Sequence, residues 1–270
     1  MELIDILYKI NWGAFIAILA LILSQLPPIK QMIRGKRLRM AIADTANFSH
    51  VFGNTNMSLW VDLENVGGKT ITVNRIKCYL TRHDGPTQIL NARAYWMTES
   101  LPSERQFLLP FAEISLKPGD KWSRFLQFWD TKTWSKSVES KTKSLISKMR
   151  VDISTKAMES DKELSAIAMD QRPTVEADIS LMQEINDLVR SLKKIEEGDY
   201  ELLVGAYEES TPTPLKMLGF NLTIFENDAR EIFEDMEDYK YGFGLHIPSR
   251  KTKWLQVIIR SKSEFKIPRD

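Results

Sequence analysis

A single cysteine, Cys78, stands in a chain of 270 residues, which excludes an internal disulfide framework and suits a reducing compartment. Histidine is almost as scarce. His50, His83 and His246 are the full set, and none has a second histidine or a cysteine at ligand spacing, so no zinc site is expected. No G-x-S-x-G elbow occurs. Gly68-Lys69-Thr70 carries the end of a phosphate-binding loop, but Leu63 stands where that pattern needs glycine, and a β-branched run follows in place of a helix. Charge of one sign is missing too. The 37 basic residues against 36 acidic ones leave a net charge of +1, which favours neither nucleic acid nor an acidic substrate as partner. None of these patterns calls for a cofactor or for enzyme chemistry.

What the chain does have is one long uncharged run. Residues 10–29, INWGAFIAILALILSQLPPI, contain no Asp, Glu, Lys or Arg, and at about 1.5 Å per residue they reach about 30 Å, the hydrocarbon thickness of a bilayer. Glu2 and Asp5 set against Lys9 do not make the positive start of a cleaved signal peptide, so the run reads as a retained transmembrane anchor. Lys30, Arg34, Lys36, Arg37 and Arg39 follow at once. Cations beside a span stay on the cytoplasmic side, which places Met1 outside and the C-terminal region in the cytoplasm. They also attract anionic headgroups.

Beyond residue 36 the pattern turns to strands. Residues 36–43 alternate, and Met57, Leu59, Val61 and Leu63 alternate with polar neighbours. Residues 71–81 resume after a turn at 65–68, with a parity break near Asn74 that suggests a bulge. A turn at 83–86, then residues 107–116 and 122–129 joined by Lys117-Pro118-Gly119-Asp120, give a further pair. The residues Leu63, Asn65, Gly67, Thr72, Val73, Ile76, Tyr79 and Leu80, followed by Leu116-Lys117-Pro118-Gly119-Asp120, Trp122, Leu126 and Phe128, resemble immunoglobulin-like or fibronectin-like sandwiches over about 90 residues. The resemblance implies two stacked antiparallel sheets.

Composition shifts at residue 131. Residues 131–150 form a lysine-rich helix, with Trp134, Val138, Leu145, Ile146 and Met149 near one face and Lys136, Lys141, Lys143 and Lys148 among its cations. Trp122, Trp129 and Trp134 beside these lysines offer a base-stacking surface, against which the near-zero net charge argues. A short helix over 158–168 and a longer one over 174–197 follow. The longer helix has Val175, Ile179, Met182, Ile185, Val189, Leu192 and Ile195 as its apolar stripe and Gly198-Asp199 as its cap. Strands are expected at 200–207, 218–225 and 254–260, with a weaker one at 241–247. An acidic helix over 227–239 includes Glu231, Glu234, Asp235 and Asp238. Strand, charged helix and strand then occur twice, over 122–154 and 218–247, as in a weak internal repeat.

The expected fold is mainly β with helices. A transmembrane anchor and basic flank (1–35) precede a cytoplasmic β-sandwich (36–130), a helical segment (131–197) and a second β/α segment (198–270) that completes or repeats the sandwich. The expected function is a single-pass, non-enzymatic interaction module of the cell membrane, a scaffold or accessory subunit that binds a protein partner or itself. One alternative is a lipid-sensing effector acting through residues 131–150, and another is an enzyme with a carboxylate site. The opposed charges of Lys136, Lys141, Lys143 and Lys148 and of Glu231, Glu234, Asp235 and Asp238 mark the candidate interaction surface.

Overall fold

The computed structural model describes residues 34–98, 106–159, 175–209, 211–245 and 254–265, together with residues 13, 16–18, 20 and 21. The expected anchor over 10–29 and its flanking Lys30 lie almost wholly outside the described residues. Among the described residues no helix is long and apolar enough to cross a membrane.

The protein is mainly β and antiparallel, but its strands do not make two stacked sheets. β1 (Leu38–Val51), β2 (Asn54–Asn65), β4 (Arg75–Arg82), β5 (Thr87–Thr98), β8 (Lys121–Asp130), β9 (Gly198–Tyr207) and β10 (Lys216–Ile224) share one sheet in the order β1-β2-β8-β5-β4-β9-β10. The last strands bring its two edges together. β11 (Leu255–Ile258) pairs with Thr45–Phe48 of β1, and β12 (Arg260–Lys262), after the single residue Ile259, pairs with Gly219–Asn221 of β10. The Ile259 N–H donates to the Asp44 carbonyl at 2.8 Å. One C-terminal strand, changing partner at Ile259, thus nearly closes an antiparallel barrel. Strands from both sides of the helical segment belong to it.

Period-two alternation fills the interior. Met57, Leu59, Val61 and Leu63 of β2 point inward, as do Ile76, Cys78 and Leu80 of β4, Leu202, Val204 and Ala206 of β9, and Phe220 and Leu222 of β10. Val257 and Ile259 complete the ring. Cys78 is a small core residue whose thiol is pushed up by burial. Each end is stoppered. At one, β3 (Ile71–Val73) and β7 (Ile114–Leu116) form a separate two-stranded sheet that adds its apolar residues to the core. At the other, Ile195, Ala229 and Ile232 do the same. The parity break near Asn74 is therefore a change of sheet and not a bulge. Residues 107–116 likewise divide into β6 (Gln106–Pro110), which pairs with β5, and β7, so they do not pair with 122–129. The long strand β5 was not foreseen.

The chain enters at the β3–β7 end. There the Gly68 N–H donates to the Arg34 and Gly35 carbonyls, both at 3.2 Å, and Val66 N–H to Arg37 at 3.0 Å. A Cβ on Gly67 would run into the Gly35 carbonyl and lie 2.6 Å from the Arg37 nitrogen, so only glycine lets the two segments meet.

Helices gather at the opposite end. α1 (Lys136–Glu159) is longer than the lysine-rich helix expected and absorbs residues 149–154, where the repeat required a strand. The first copy of that repeat therefore does not exist. α2 (Ile179–Leu192) starts on Asp178, whose side chain accepts from Ser180 N–H at 2.8 Å. Its buried stripe is Leu181, Ile185, Leu188, Val189 and Leu192, while Ile179 is exposed. The helix stops before Lys193, so Gly198 opens β9 and does not cap it. α3 (Glu226–Glu231) and a 3-10 helix (Glu234–Tyr241) replace the single acidic helix, and the 3-10 helix ends where the weak strand at 241–247 was expected to begin. Phe52 of the β1–β2 turn, Leu145 and Met149 of α1, the α2 stripe and Tyr239 form one cluster.

Candidate functional site

With the interior full, chemistry falls to the outer wall. Residues opposite each other in the register form rows across it. Trp60, Phe125, Trp96 and Leu108 make one row over β2, β8, β5 and β6; Ser58, Gln127, Ala94 and Pro110 make the next. Asn56, Trp129 and Asn91 make the third. A register shift between Ala92 and Ala94, with Arg93 as the extra residue, brings Ala94 to the outside.

The Trp60 indole N–H donates to Ser123 Oγ at 2.8 Å, and its ring lies 6.4 Å from that of Phe125. Below this row a groove of about 770 Å³ runs across the wall, within the ordinary size range of ligand sites. Val51, Leu108, Pro110, Trp129 and Trp134 give it apolar sides, and Asn54, Asn56 and Arg93 give it polar groups. Trp129 is exposed as its alternation with Phe128 and Asp130 dictates.

The polar residues here are unusual. Asn54, Asn56, Ser58 and Gln127 are all more than nine-tenths buried, yet Asn54 Oδ1, Asn56 Oδ1, Ser58 Oγ and Gln127 Oε1 have no hydrogen-bond partner among the described residues. Burying such an atom unpaired costs about 1–3 kcal/mol. The Asn54 amide nitrogen donates to the Asp130 carbonyl at 3.3 Å. Of these four residues Asn54 and Asn56 line the groove, which thus offers acceptors and aromatic faces together.

Asp130 fixes the rim. Its side chain accepts from the backbone N–H groups of Lys132 and Thr133 at 3.0 and 2.9 Å, from Thr133 Oγ1 at 2.5 Å and from Lys194 Nζ at 3.3 Å. Burial alone would raise this carboxyl; the Thr133 hydrogen bonds and the Lys194 charge outweigh it and hold the group below the usual carboxylate range. A group depressed in the folded state stabilises fully above its unfolded value and loses that contribution as pH falls through the folded one. The stability difference between the protein and Asp130→Asn, measured by urea titration, is therefore expected to be largest near neutrality and to shrink below about pH 4. An unchanging difference would refute the depression of the Asp130 carboxyl by Thr133 and Lys194.

The charged residues singled out by the sequence are placed as follows. Arg34, Lys36, Arg37 and Arg39 are exposed at the β3–β7 end, with Lys36 paired to Glu208 and Arg39 to Glu64 at 2.8 Å. Lys136, Lys141, Lys143 and Lys148 are exposed on α1, where Lys143 pairs with Glu139 of its own helix. Glu231 and Glu234 are exposed and Asp238 is half-buried; the side chain of Asp235 is outside the described residues. Both charged groups lie at the helical end, their elements sharing the cluster of Leu145, Met149 and Tyr239. The three tryptophans do not share a face. Trp122 packs against the core, edge-on to Tyr95 at 6.1 Å, while Trp129 and Trp134 line the groove. The groove itself was not foreseen. Its only sequence signal was those two aromatics, and the polar floor depends on register.

Among the described residues no group of histidine, cysteine and carboxylates could hold a metal ion. No family model matches this chain, nor does any curated protein or solved structure.

Proposed function

We propose that the protein is a single-pass, membrane-anchored binding module, held on the cytoplasmic face of the cell membrane, whose outer-wall groove takes a protein partner. The observation that carries this is the set of buried, unpaired acceptors beside Trp129 and Trp134. A partner segment that brings N–H donors to Asn54 and Asn56 and an apolar side chain to the tryptophans removes a standing cost, so its binding gains twice. The anchor is supported by composition over 10–29 and by Ile16, Ile18 and Leu21. These are 60%, 58% and 64% exposed and point in different directions around a helix at about 100° per residue. An all-round apolar helix needs lipid or another chain against it.

The alternative of a lipid sensor acting through residues 131–150 has geometry against it. α1 stands at the end of the barrel opposite to the one where residue 34 enters. At about 3.4 Å per residue and ordinary barrel tilt, a 12-residue strand such as β2 separates the ends by roughly 30 Å.

The groove is tested with full-length protein in detergent, by quantifying cross-linked partner. Trp129→Ala combined with Trp134→Ala is expected to weaken capture by about thirtyfold, the loss of about 2 kcal/mol typical of a buried aromatic anchor. Reversal of Lys136, Lys141, Lys143 and Lys148 to glutamate is expected to leave capture unchanged. The opposite pattern would move the binding surface to the charged helices.

A further inference from the structure

The fold gathers cations that the sequence scatters. Arg34 and Arg37 lead into β1, Lys69 follows β2, Lys117 sits in the β7–β8 turn, Lys121 begins β8 and Lys216 begins β10. Every one of these positions is at the β3–β7 end of the barrel, and all six side chains are exposed. Acids at the same end are mostly engaged. Glu64 is held by Arg39 at 2.8 Å and Lys121 at 3.7 Å, Glu208 by Lys36, and Asp120 by the Lys117 backbone N–H at 2.8 Å. Glu113 accepts from Asn74 Nδ2 at 2.6 Å. Among the described residues, Arg34, Arg37, Lys69, Lys117 and Lys216 have no acidic partner, with Glu209 and Glu264 as uncommitted carboxylates toward the same end. The far end is different, since it carries the acids Glu226, Asp228, Glu231 and Glu237 of α3 and the 3-10 helix as well as the lysines of α1. Apolar side chains complete the surface. Met97 and Phe107, facing each other on the β5–β6 hairpin, are 38% and 41% exposed and lie toward the same basic end.

We infer that this end of the barrel docks flat on an anionic phospholipid surface, so that the module stands upright with its groove facing sideways and its helical end away from the bilayer. The inference rests on the membrane-anchored reading and adds an orientation and a lipid preference to it. A cation near an anionic leaflet improves binding about fivefold, so five unpaired ones on a single face dominate the orientation. The acids of α3 and the 3-10 helix are repelled by the same field, which disfavours the inverted pose. The exposed Met97 and Phe107 fit the headgroup boundary, where apolar side chains flank the bilayer core.

Cys78 is fully buried, so an introduced cysteine takes a fluorescent label selectively. The full chain carrying Thr70→Cys, an exposed position beside Lys69, is reconstituted in vesicles of phosphatidylcholine alone or of three parts phosphatidylcholine to one part phosphatidylserine, with a nitroxide quencher on the headgroups. Quenching is expected to be at least about twofold greater in the anionic vesicles and to fall to the neutral-vesicle level at about 0.5 M salt, where screening reaches only a few ångströms. The triple variant Arg37→Glu, Lys69→Glu and Lys117→Glu should abolish the difference. Its side chains make no hydrogen bond within the described residues, and circular dichroism checks that it folds; Arg37→Gln, Lys69→Gln and Lys117→Gln serves as the milder form. A label at Asp84→Cys, on the opposite end, should be quenched equally in both lipids. Equal quenching at Thr70→Cys in both lipids, or a lipid-dependent signal at Asp84→Cys, would overturn the upright docking. Resistance to carbonate extraction is read separately, so loss of the anchor and loss of the docking are distinguishable.

Discussion

Removal of residues 254–270 is expected to leave a chain that no longer holds its barrel. The closing strand is the only described element that pairs with both β1 and β10. Without it Val257 and Ile259, exposed by only 5% and 4%, vanish from the interior, and two strand edges open onto an apolar core. Large buried aliphatic side chains cost about 2–5 kcal/mol each when truncated. Two of them, with the ladder hydrogen bonds on both sides, approach the whole stability of a typical domain, about 5–15 kcal/mol. The opened edges of β1 and β10 are also templates for pairing with other chains. The shortened protein should therefore elute as soluble aggregate and show no cooperative urea transition. Ile259→Ala alone, which keeps the backbone bond to Asp44, should remain folded and lose about 2–4 kcal/mol. A shortened chain that unfolds cooperatively at the unmodified midpoint would mean that the barrel does not depend on its closure.

That closure also explains why the sequence resembled a sandwich. Alternation in β2, β4, β9 and β10 reads identically whether the inner faces belong to two stacked sheets or to one sheet curled on itself. The difference lies in the pairing of residues 255–262 with segments about 210 and 40 positions earlier, and no local pattern encodes a pairing of that range. β5 escaped notice for a local reason. Arg93 is an extra residue between Ala92 and Ala94, so parity flips in mid-strand and neither half shows a clean alternation. In α1, Val151 and Ile153 favour a strand by propensity, but Leu145, Met149 and Ala157 recur at four- and eight-residue steps and bury one helical face. The groove was legible only as scattered tryptophans. Asn56, Ala94 and Trp129 become neighbours through the register of three strands, and register is fixed by the interior residues behind them. The basic end was half legible, since Arg34 and Arg37 are contiguous in sequence while Lys69, Lys117 and Lys216 join them only through the barrel.

Asn65→Ala is expected to destabilise the protein by about 3 kcal/mol or more, because one side chain ties the basic end together. Asn65 is completely buried at the close of β2. Its Nδ2 donates to the carbonyls of Lys69 and Leu116, each at 2.9 Å, and its Oδ1 accepts from the Gly67 N–H at 2.9 Å. Its backbone joins the β7–β8 turn as well, donating to Asp120 at 3.0 Å and accepting from Gly119 at 2.9 Å. One residue thereby holds the β2–β3 connection, the small β3–β7 sheet and the turn that carries Lys117. Alanine would leave two carbonyls and one N–H unpaired, each costing about 1–3 kcal/mol where water cannot reach. Aspartate is the sharper probe. It keeps the acceptor for Gly67 but turns a carboxylate oxygen toward the Lys69 and Leu116 carbonyls, burying a charge with repulsive neighbours. The introduced carboxyl would be raised by that environment, so protonation relieves the penalty. Asn65→Asp should accordingly cost more than Asn65→Ala at pH 7, and the gap should narrow toward pH 4 as the acid gains a donor proton. Urea titrations of both variants at the two pH values measure this directly. Equal losses for the two variants at both pH values, or a loss below about 1 kcal/mol for either, would show that the β3–β7 end is held by packing alone and not by the Asn65 hydrogen bonds.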